Sequence, residues 1–407
     1  MRINGVKILI SAYACEPNKG SEPGVGWNWA TELSKIHEVW VITRDNNEPT
    51  INAYLKNHTE YQNDKLHFVY VGLSRKLTFW KKGRRGMRLF YFLWQKKAVR
   101  KALKINKEIK FDVVHHVTFA SYTQPTYMYK LGIPLIWGPV SGGENIPKGI
   151  RIKMNNKEKI IELIRKTSQY LALMTPSIKK TMKYSKKIIV TTEETKDKIP
   201  QKYWGKTEVI PAIGISELPE IKKQKKESGK IKIVMAGRLI YWKAFEIGVK
   251  AFLQIADKYP DLELHILGEG DKKSQLKKIS GKYLEKQVFF DNPVEHDKIY
   301  QYYSGFDIFL NTTLRDSGCM TMMEAMSVGI PCVAISAGGP YLLSKESPES
   351  LITPDSYDDC VNKISEILEK MVTDKKFLIN VQENQKKGIL ENYIFDSKIE
   401  NIYKCFS

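Results

Sequence analysis

Short runs of hydrophobic, largely β-branched residues alternate along this chain with stretches whose apolar positions recur every three to four residues. VKILIS, residues 6 to 11, has the length and content of a buried strand, and WNWATELSK beyond it repeats its apolar residues at helical spacing. A glycine-containing loop joins the two, so the chain opens as strand, loop and helix. HEVWVIT, HFVYVGL, FDVVHHVTF and IPLIWGP continue as strands, with helices expected near 84 to 107 and through Tyr127. A second series, KIVMAGR, ELHILGEG, QVFFDNP, FDIFLNT and IPCVAIS, repeats the form, each run leading through Gly, Pro or a polar loop into a helical pattern.

Short buried strands separated by helices predict parallel sheets covered on both faces. Right-handed crossovers make each sheet doubly wound, and such sheets bind ligands at the carboxyl ends of their strands. The expected fold is α/β, two Rossmann-like domains facing a central cleft. The expected boundaries are 1–213 for the first domain, 214–230 for a lysine-rich solvated linker, 231–375 for the second domain, and 376–407 for a helical segment packing back across the domains.

Composition narrows the picture. With 407 residues, 42% hydrophobic and 27% charged, the chain is neither disordered nor a single small domain. Its formal charge of +20 is lopsided: residues 1 to 214 carry 38 basic and 17 acidic side chains, net +21, and the remainder carries 27 and 28, net −1. Such a field attracts something anionic and contributes nothing to folding. Residues 75 to 110 hold fourteen Lys or Arg and one acid, Glu108, interleaved with Phe79, Trp80, Phe90, Tyr91, Phe92 and Trp94. That pattern suits a helix lying on an anionic membrane surface, and lysines 179, 180, 183, 186 and 187 extend the patch. No nucleic-acid-binding signature accompanies it, so no nucleic acid partner is expected. Cys15, Cys319, Cys332, Cys360 and Cys405 lack metal-site or disulfide spacing, the apolar start stops at Ser11 without a cleavage pattern, and no apolar run is long enough to span a bilayer. The expected location is cytoplasmic, peripheral on the inner face of the cell membrane.

The segment 311 to 340, NTTLRDSGCMTMMEAMSVGIPCVAISAGGP, carries the densest chemistry. Asp316 lies in the loop before a helix and Glu324 within its early turns, so both can face one crevice. The amides of Gly318, Cys319 and Met320 then sit at a helix N-terminus, which favours an anion. A carboxylate beside bound phosphate is repelled unless it meets hydroxyl donors, and a ribose diol supplies two. Upstream, Arg238 follows a strand and Lys243 opens the next helix, a pair able to neutralise a diphosphate.

AGRL with a following lysine, LGEGD, and the acidic-x7-Glu element with EAMSVGIPCV resemble the second domain of retaining glycosyltransferases of family four, which have the GT-B fold. YACEPNKGSEPGVGWNWATEL, FDVVHHVTF and IWGPVSGGENIP are similar to a bacterial branch working on surface polysaccharides. The resemblance implies that Arg238 and Lys243 hold the donor's diphosphate and that Glu324 binds its ribose. It implies further that Asp316 and the amides of Gly318 and Cys319 orient the sugar, and that Gly24 and Gly26 let the first loop approach the ligands. His115 or His116 would bond the sugar, with His116 favoured although strand alternation leaves the choice open, and Glu144 would hold acceptor or sugar. Asp316 stands where Glu is commoner, Ala244 where a glycine follows the lysine, and Ser141 interrupts a run of glycines.

The implied reaction moves a sugar from a nucleotide-sugar donor, UDP-linked in first place and GDP-mannose as the alternative, to a lipid-linked saccharide acceptor with retention of configuration. Cations replace the metal of other nucleotide-sugar enzymes, so no metal or cofactor is expected, and no Asp-x-Asp stands at a strand end. The competing readings are a nucleotide-sugar epimerase or sugar phosphorylase of the same fold, and a non-catalytic basic membrane adaptor.

Overall fold

Runs of Val, Ile and Leu become the central strands of two parallel sheets. The computed structural model describes all residues except 1–4, 75–78, 81–82, 84–85, 151–153, 222–228, 405 and 407. The first sheet contains β1 (Lys7–Ser11), β2 (Glu38–Arg44), β3 (Leu66–Val71), β4 (Val113–His116), β5 (Leu135–Val140), β6 (Ser185–Val190) and β7 (Thr207–Val209), in the order β3-β2-β1-β4-β5-β6-β7. The second contains β8 (Ile231–Ala236), β9 (Leu262–Leu267), β10 (Val288–Asp291), β11 (Ile308–Asn311), β12 (Cys332–Ile335) and β13 (Leu351–Ile352), in the order β10-β9-β8-β11-β12-β13. Every pairing is parallel; Ile8, for example, lies opposite Val39 on one side and Val113 on the other. In each sheet the order reverses beside the first strand, between β1 and β4 and between β8 and β11, where the loops diverge and leave a crevice for ligand.

The helices that matter below are α1 (Ser21–Ser34), α2 (Met87–Ile109), α3 (Asn156–Met174), α4 (Phe245–Ile255), α5 (Met320–Ser327), α6 (Tyr357–Thr373), α7 (Lys375–Asn392) and α8 (Phe395–Tyr403). Tyr91, Trp94, Ala98 and Ala102 of α2 recur at three- and four-residue steps and pack with Leu9, Ile42, Val114 and Leu135 of the first sheet. Ile247, Ala251, Phe252 and Ile255 of α4, with Ile364 and Leu368 of α6, cover Ile233, Leu264, Ile308 and Val333 of the second.

The chain path is less simple than the contiguous domains expected from sequence. Residues 1–143, 166–216 and 395–407 form one unit, and residues 144–165 with 217–394 form the other. The excursion 144–165 is held in the second unit by charge: Glu158 accepts from Lys272 at 2.7 Å, and Glu162 pairs with Arg315. The expected tail is two helices with different allegiances. In α7, Gln385 bonds both the amide and the carbonyl of Cys332 at 2.8 Å. In α8, Tyr403 meets His115 at 2.7 Å, and buried Lys398 donates to the carbonyls of Pro211 and Ile213. Much of the expected linker, residues 222–228, lies outside the described residues.

Three strands, β6, β7 and β13, go beyond those read from the sequence, and the helix expected through Tyr127 is only a short 3-10 turn, Met128–Leu131, closed by left-handed Gly132. β6 hid behind its lysines. Lys187 is buried, bridges to Glu208 at 3.0 Å and so does not extend a surface patch, whereas Lys186 is exposed. Residues 75–78, 81–82 and 84–85 of the basic stretch lie outside the described residues; of its aromatics, Tyr91 and Trp94 are core and Trp80, Phe90 and Phe92 half-buried, leaving Phe79 exposed. Tyr91 and Trp94 therefore serve the sheet, and α2 presents lysines and arginines outward. Among the described residues no helix is long and apolar enough to cross a membrane.

Candidate active site

The loops leaving β8 and β11 at the reversal of the second sheet are stitched together. Thr312 Oγ1 donates to the carbonyl of Lys243 at 3.1 Å, Leu314 N to Trp242 O at 2.9 Å, and Thr321 Oγ1 to Ala236 O at 3.4 Å. Each loop enters its helix through a left-handed residue other than glycine, Ala244 at φ 46° before α4 and Cys319 at φ 55° before α5. That conformation costs an ordinary residue about 1–2 kcal/mol, so the surroundings hold it in place.

Lys243, on the short turn Tyr241–Lys243, forms an ion pair with Asp316. Burial opposes charging of both groups, yet their mutual attraction prevails: the Asp316 carboxyl is held below the usual range and the Lys243 ammonium above it. Asp316 Oδ1 also accepts from the amides of Gly318 and Cys319, each at 3.1 Å. Two amides expected to receive a ligand anion are thus taken by the protein's own carboxylate, because Asp is short enough to fold back on its loop where a Glu would reach beyond it. Lys243 keeps further N–H donors after Asp316 has taken one. Arg238 is exposed, and among the described residues no carboxylate pairs with it.

Glu324 is buried in α5, and burial pushes its carboxyl above the ordinary carboxylate range against the pull of His296. His296 Nε2, from the turn after β10, stands 3.4 Å from Glu324 Oε1, an ion-pair distance without hydrogen-bond alignment. Met320 opens α5. Glu144 is buried in the same unit; its side chain lies where a Cβ on Gly338 would meet its Cγ at 3.1 Å, and Gly338 itself is left-handed against the carbonyl of Asp316.

The first unit corrects three expectations. Gly24 and Gly26 lie inside α1, where a Cβ would come within 2.0 Å of Lys19 O and 2.1 Å of Ala14 O; their smallness serves backbone packing. His115 is fully buried with both ring nitrogens engaged at 2.7 Å, by Tyr403 Oη and the carbonyl of Gly138. His116, the favoured sugar contact, is equally buried, with Ser11 Oγ at 3.2 Å and Tyr91 Oη at 3.3 Å on its two nitrogens. Burial lowers the pKa of both imidazoles, to about 4 and about 3 respectively, so both are neutral.

Four residues beyond the sequence reading complete the site. Glu162 accepts from Tyr241 Oη at 2.8 Å and also from Arg315, which stacks on Trp242, so one carboxylate braces the neighbours of both Lys243 and Asp316. His296 is the fourth. Tyr241 and Arg315 adjoin residues the sequence did single out, but their partner lies far away along the chain and gave no local signal. The GEG turn also serves the structure, since a Cβ on Gly270 would meet Leu239 O at 2.2 Å, and Leu239 N bonds Glu269 O at 2.9 Å, which clamps the loop bearing Arg238. Gly270→Ala is expected to lower stability by about 1–3 kcal/mol, read by denaturant melts. Among the described residues no three His, Cys, Asp or Glu side chains converge as a metal ligand set.

The two parallel α/β sheets have the architecture of GT-B glycosyltransferases. Within the second unit, residues 217–387 match the family described as "Glycosyl transferases group 1". Over 144 residues the chain is 34% identical to a human phosphatidylinositol N-acetylglucosaminyltransferase subunit; the match covers 35% of this chain and 28% of that protein. It is 27% identical over 322 residues to the alpha-monoglucosyldiacylglycerol synthase of Acholeplasma laidlawii, covering 73% and 72% of the two chains. The Anabaena protein HepE, solved in complex with UDP, shares the fold with a TM-score of 0.62 at 13% identity, over 98% of this chain and 99% of that one. The chain thus spans little more than a quarter of the human relative's length.

Proposed function

We propose that this protein is a retaining, metal-independent glycosyltransferase that moves a sugar from a nucleotide-sugar donor to a lipid-linked saccharide in bacterial surface polysaccharide synthesis. The observation that carries the reading is the exposed Arg238 beside Lys243 at the reversal of the second sheet, with buried Glu324 on the adjoining helix. The two cations face the place where negative charge develops as the donor's glycosidic bond breaks and the diphosphate leaves with the electron pair. An acceptor hydroxyl attacks the anomeric carbon on the face the diphosphate vacates, and its proton passes to the leaving phosphate, so no protein base is required. Glu324 accepts the ribose hydroxyls. Asp316, saturated by Lys243 and two amides, positions that lysine. His116, enclosed by its own chain, takes no part.

UDP is the first choice of donor nucleotide, in keeping with the UDP found with HepE, and GDP-mannose is the alternative. The names of both relatives pair a sugar with a lipid, which supports a lipid-linked acceptor. The test is thermal stability against UDP, GDP, CDP and dTDP with and without EDTA, since a ligand raises the melting temperature by mass action. A rise with one diphosphate that survives EDTA is expected; no rise with any would remove the reading in favour of a non-catalytic adaptor.

A further inference from the structure

Helix α3 is amphipathic the wrong way round. Glu158, Glu162, Arg165 and Gln169, spaced to form one stripe, turn toward the protein: the first two bond Lys272 and Tyr241, Arg165 donates to the carbonyl of Glu144 at 2.7 Å, and Gln169 to that of Gly142 at 2.9 Å. The opposite stripe is apolar and faces out. Ile160, Leu163, Ile164, Tyr170, Leu171 and Met174 are all exposed, Leu163 by 65%, Ile164 by 62% and Tyr170 by 67%. Isolated apolar residues on a surface need no explanation, but a full apolar helix face maintained by buried charge on its other side does.

We infer that the outward face of α3 is the surface with which this protein lies on an anionic lipid bilayer. The charge complement lies nearby in the chain: Lys157 and Lys159 of α3 are exposed, as are Lys179, Lys180 and Lys183 just beyond it, and between Met154 and Thr192 the only carboxylates, Glu158 and Glu162, are buried. An apolar stripe accompanied by lysines and bare of acids fits acyl chains beneath anionic headgroups. A second copy of the chain would oppose lysine to lysine across a twofold axis, since such an interface pairs a patch with itself. The role belongs to α3 rather than to α2, whose apolar residues are largely turned to the core. The inference names the surface at which the proposed lipid-linked acceptor would be met, yet its argument uses only this helix and the lysines that follow it in the chain. Because Glu162 braces Tyr241 and Arg315, the docked helix is tied to the loops that carry Lys243 and Asp316.

The test is co-sedimentation of the full chain with vesicles of phosphatidylcholine alone and with about 30% phosphatidylglycerol. Binding to the anionic vesicles is expected, and Leu163→Asp/Ile164→Asp, and separately Leu171→Asp/Met174→Asp, should each weaken it about tenfold or more. All four side chains are exposed, so the melting temperature should hold and certifies folding. Undiminished binding of both variants, absence of wild-type binding to anionic vesicles, or a wild-type dimer in sedimentation equilibrium that the variants dissociate would each overturn the inference. Failure of the nucleotide panel would sink the transferase reading and leave vesicle binding standing.

Discussion

Lys243→Ala is expected to lower turnover by about 100- to 1,000-fold, the usual effect of removing one charge-stabilising donor from a reacting site. It should also cost the fold about 1–3 kcal/mol, because the half-buried Asp316 carboxylate loses its counter-ion. Activity and stability fall together here, so the single variant cannot separate the two roles. Lys243→Met combined with Asp316→Asn can: the asparagine oxygen still accepts from Gly318 and Cys319, no lone charge remains, and stability should return while turnover does not. Turnover recovering with stability would show that the lysine serves only the fold. The pH dependence follows from the shifts. The depressed Asp316 carboxyl contributes stability that is present above its unfolded pKa of about 3.9 and lost as pH falls through its lower folded value. The raised Lys243 contributes stability present below about 10.5 and lost as pH rises through its higher folded value. Between these limits the pair is fully formed, and the double variant's melting temperature should respond less at both extremes.

Glu324→Gln is expected to do the reverse and uncouple stability from activity. Replacing a charged acceptor by a neutral one at the ribose should weaken donor binding by about 10- to 100-fold, from the 1.5–3 kcal/mol of a hydrogen bond to a charged group. Stability at pH 8 should hold or rise. With its pKa raised by burial, the folded state binds this proton more tightly than the unfolded chain does, so the wild type loses stability as pH climbs from about 4.3 through the raised value, and glutamine is spared that loss. His296 compensates on the acid side: its pKa is raised by Glu324, so the pairing is fully present below about 6.5 and disappears as pH rises past the folded value. The stability gap between variant and wild type should therefore narrow from pH 8 toward pH 6. A variant that binds nucleotide normally would place the ribose elsewhere.

The strands around both sheet reversals were legible because a strand buried on both faces must be a continuous apolar run. Arg238 and Asp316 follow such runs within a few residues, and Lys243 and Glu324 stand in the short turn and the helix that come next, so the sequence places all four in the segments leaving β8 and β11. What the sequence concealed depends on partners distant along the chain. His115 and His116 read as ligands in a strand-end pair, but Tyr403, Tyr91 and Ser11 had already claimed their nitrogens. The two loop amides read as an anion site until Asp316 proved to occupy them. Helical periodicity in α3 is plain, but periodicity does not say which stripe faces in; that was decided by Lys272, Tyr241 and Arg315. The aromatics of the basic stretch divide for the same reason: Tyr91 and Trp94 face the core while Phe79 is exposed, and a pattern of Tyr and Trp among lysines describes a core-facing helix and a membrane-facing one equally well.

The interleaved path of the chain bears on how such a protein can diversify. Because the first unit draws on three separate stretches and the second on two, the gene holds no contiguous cassette for either. A single recombination crossover near residue 216 would give the first unit a foreign α8, and with it a foreign partner for His115 and for the carbonyls that Lys398 now satisfies. In the proposed transferase, donor preference is thus better placed to drift by substitution within the loops after β8 and β11 than to be exchanged wholesale.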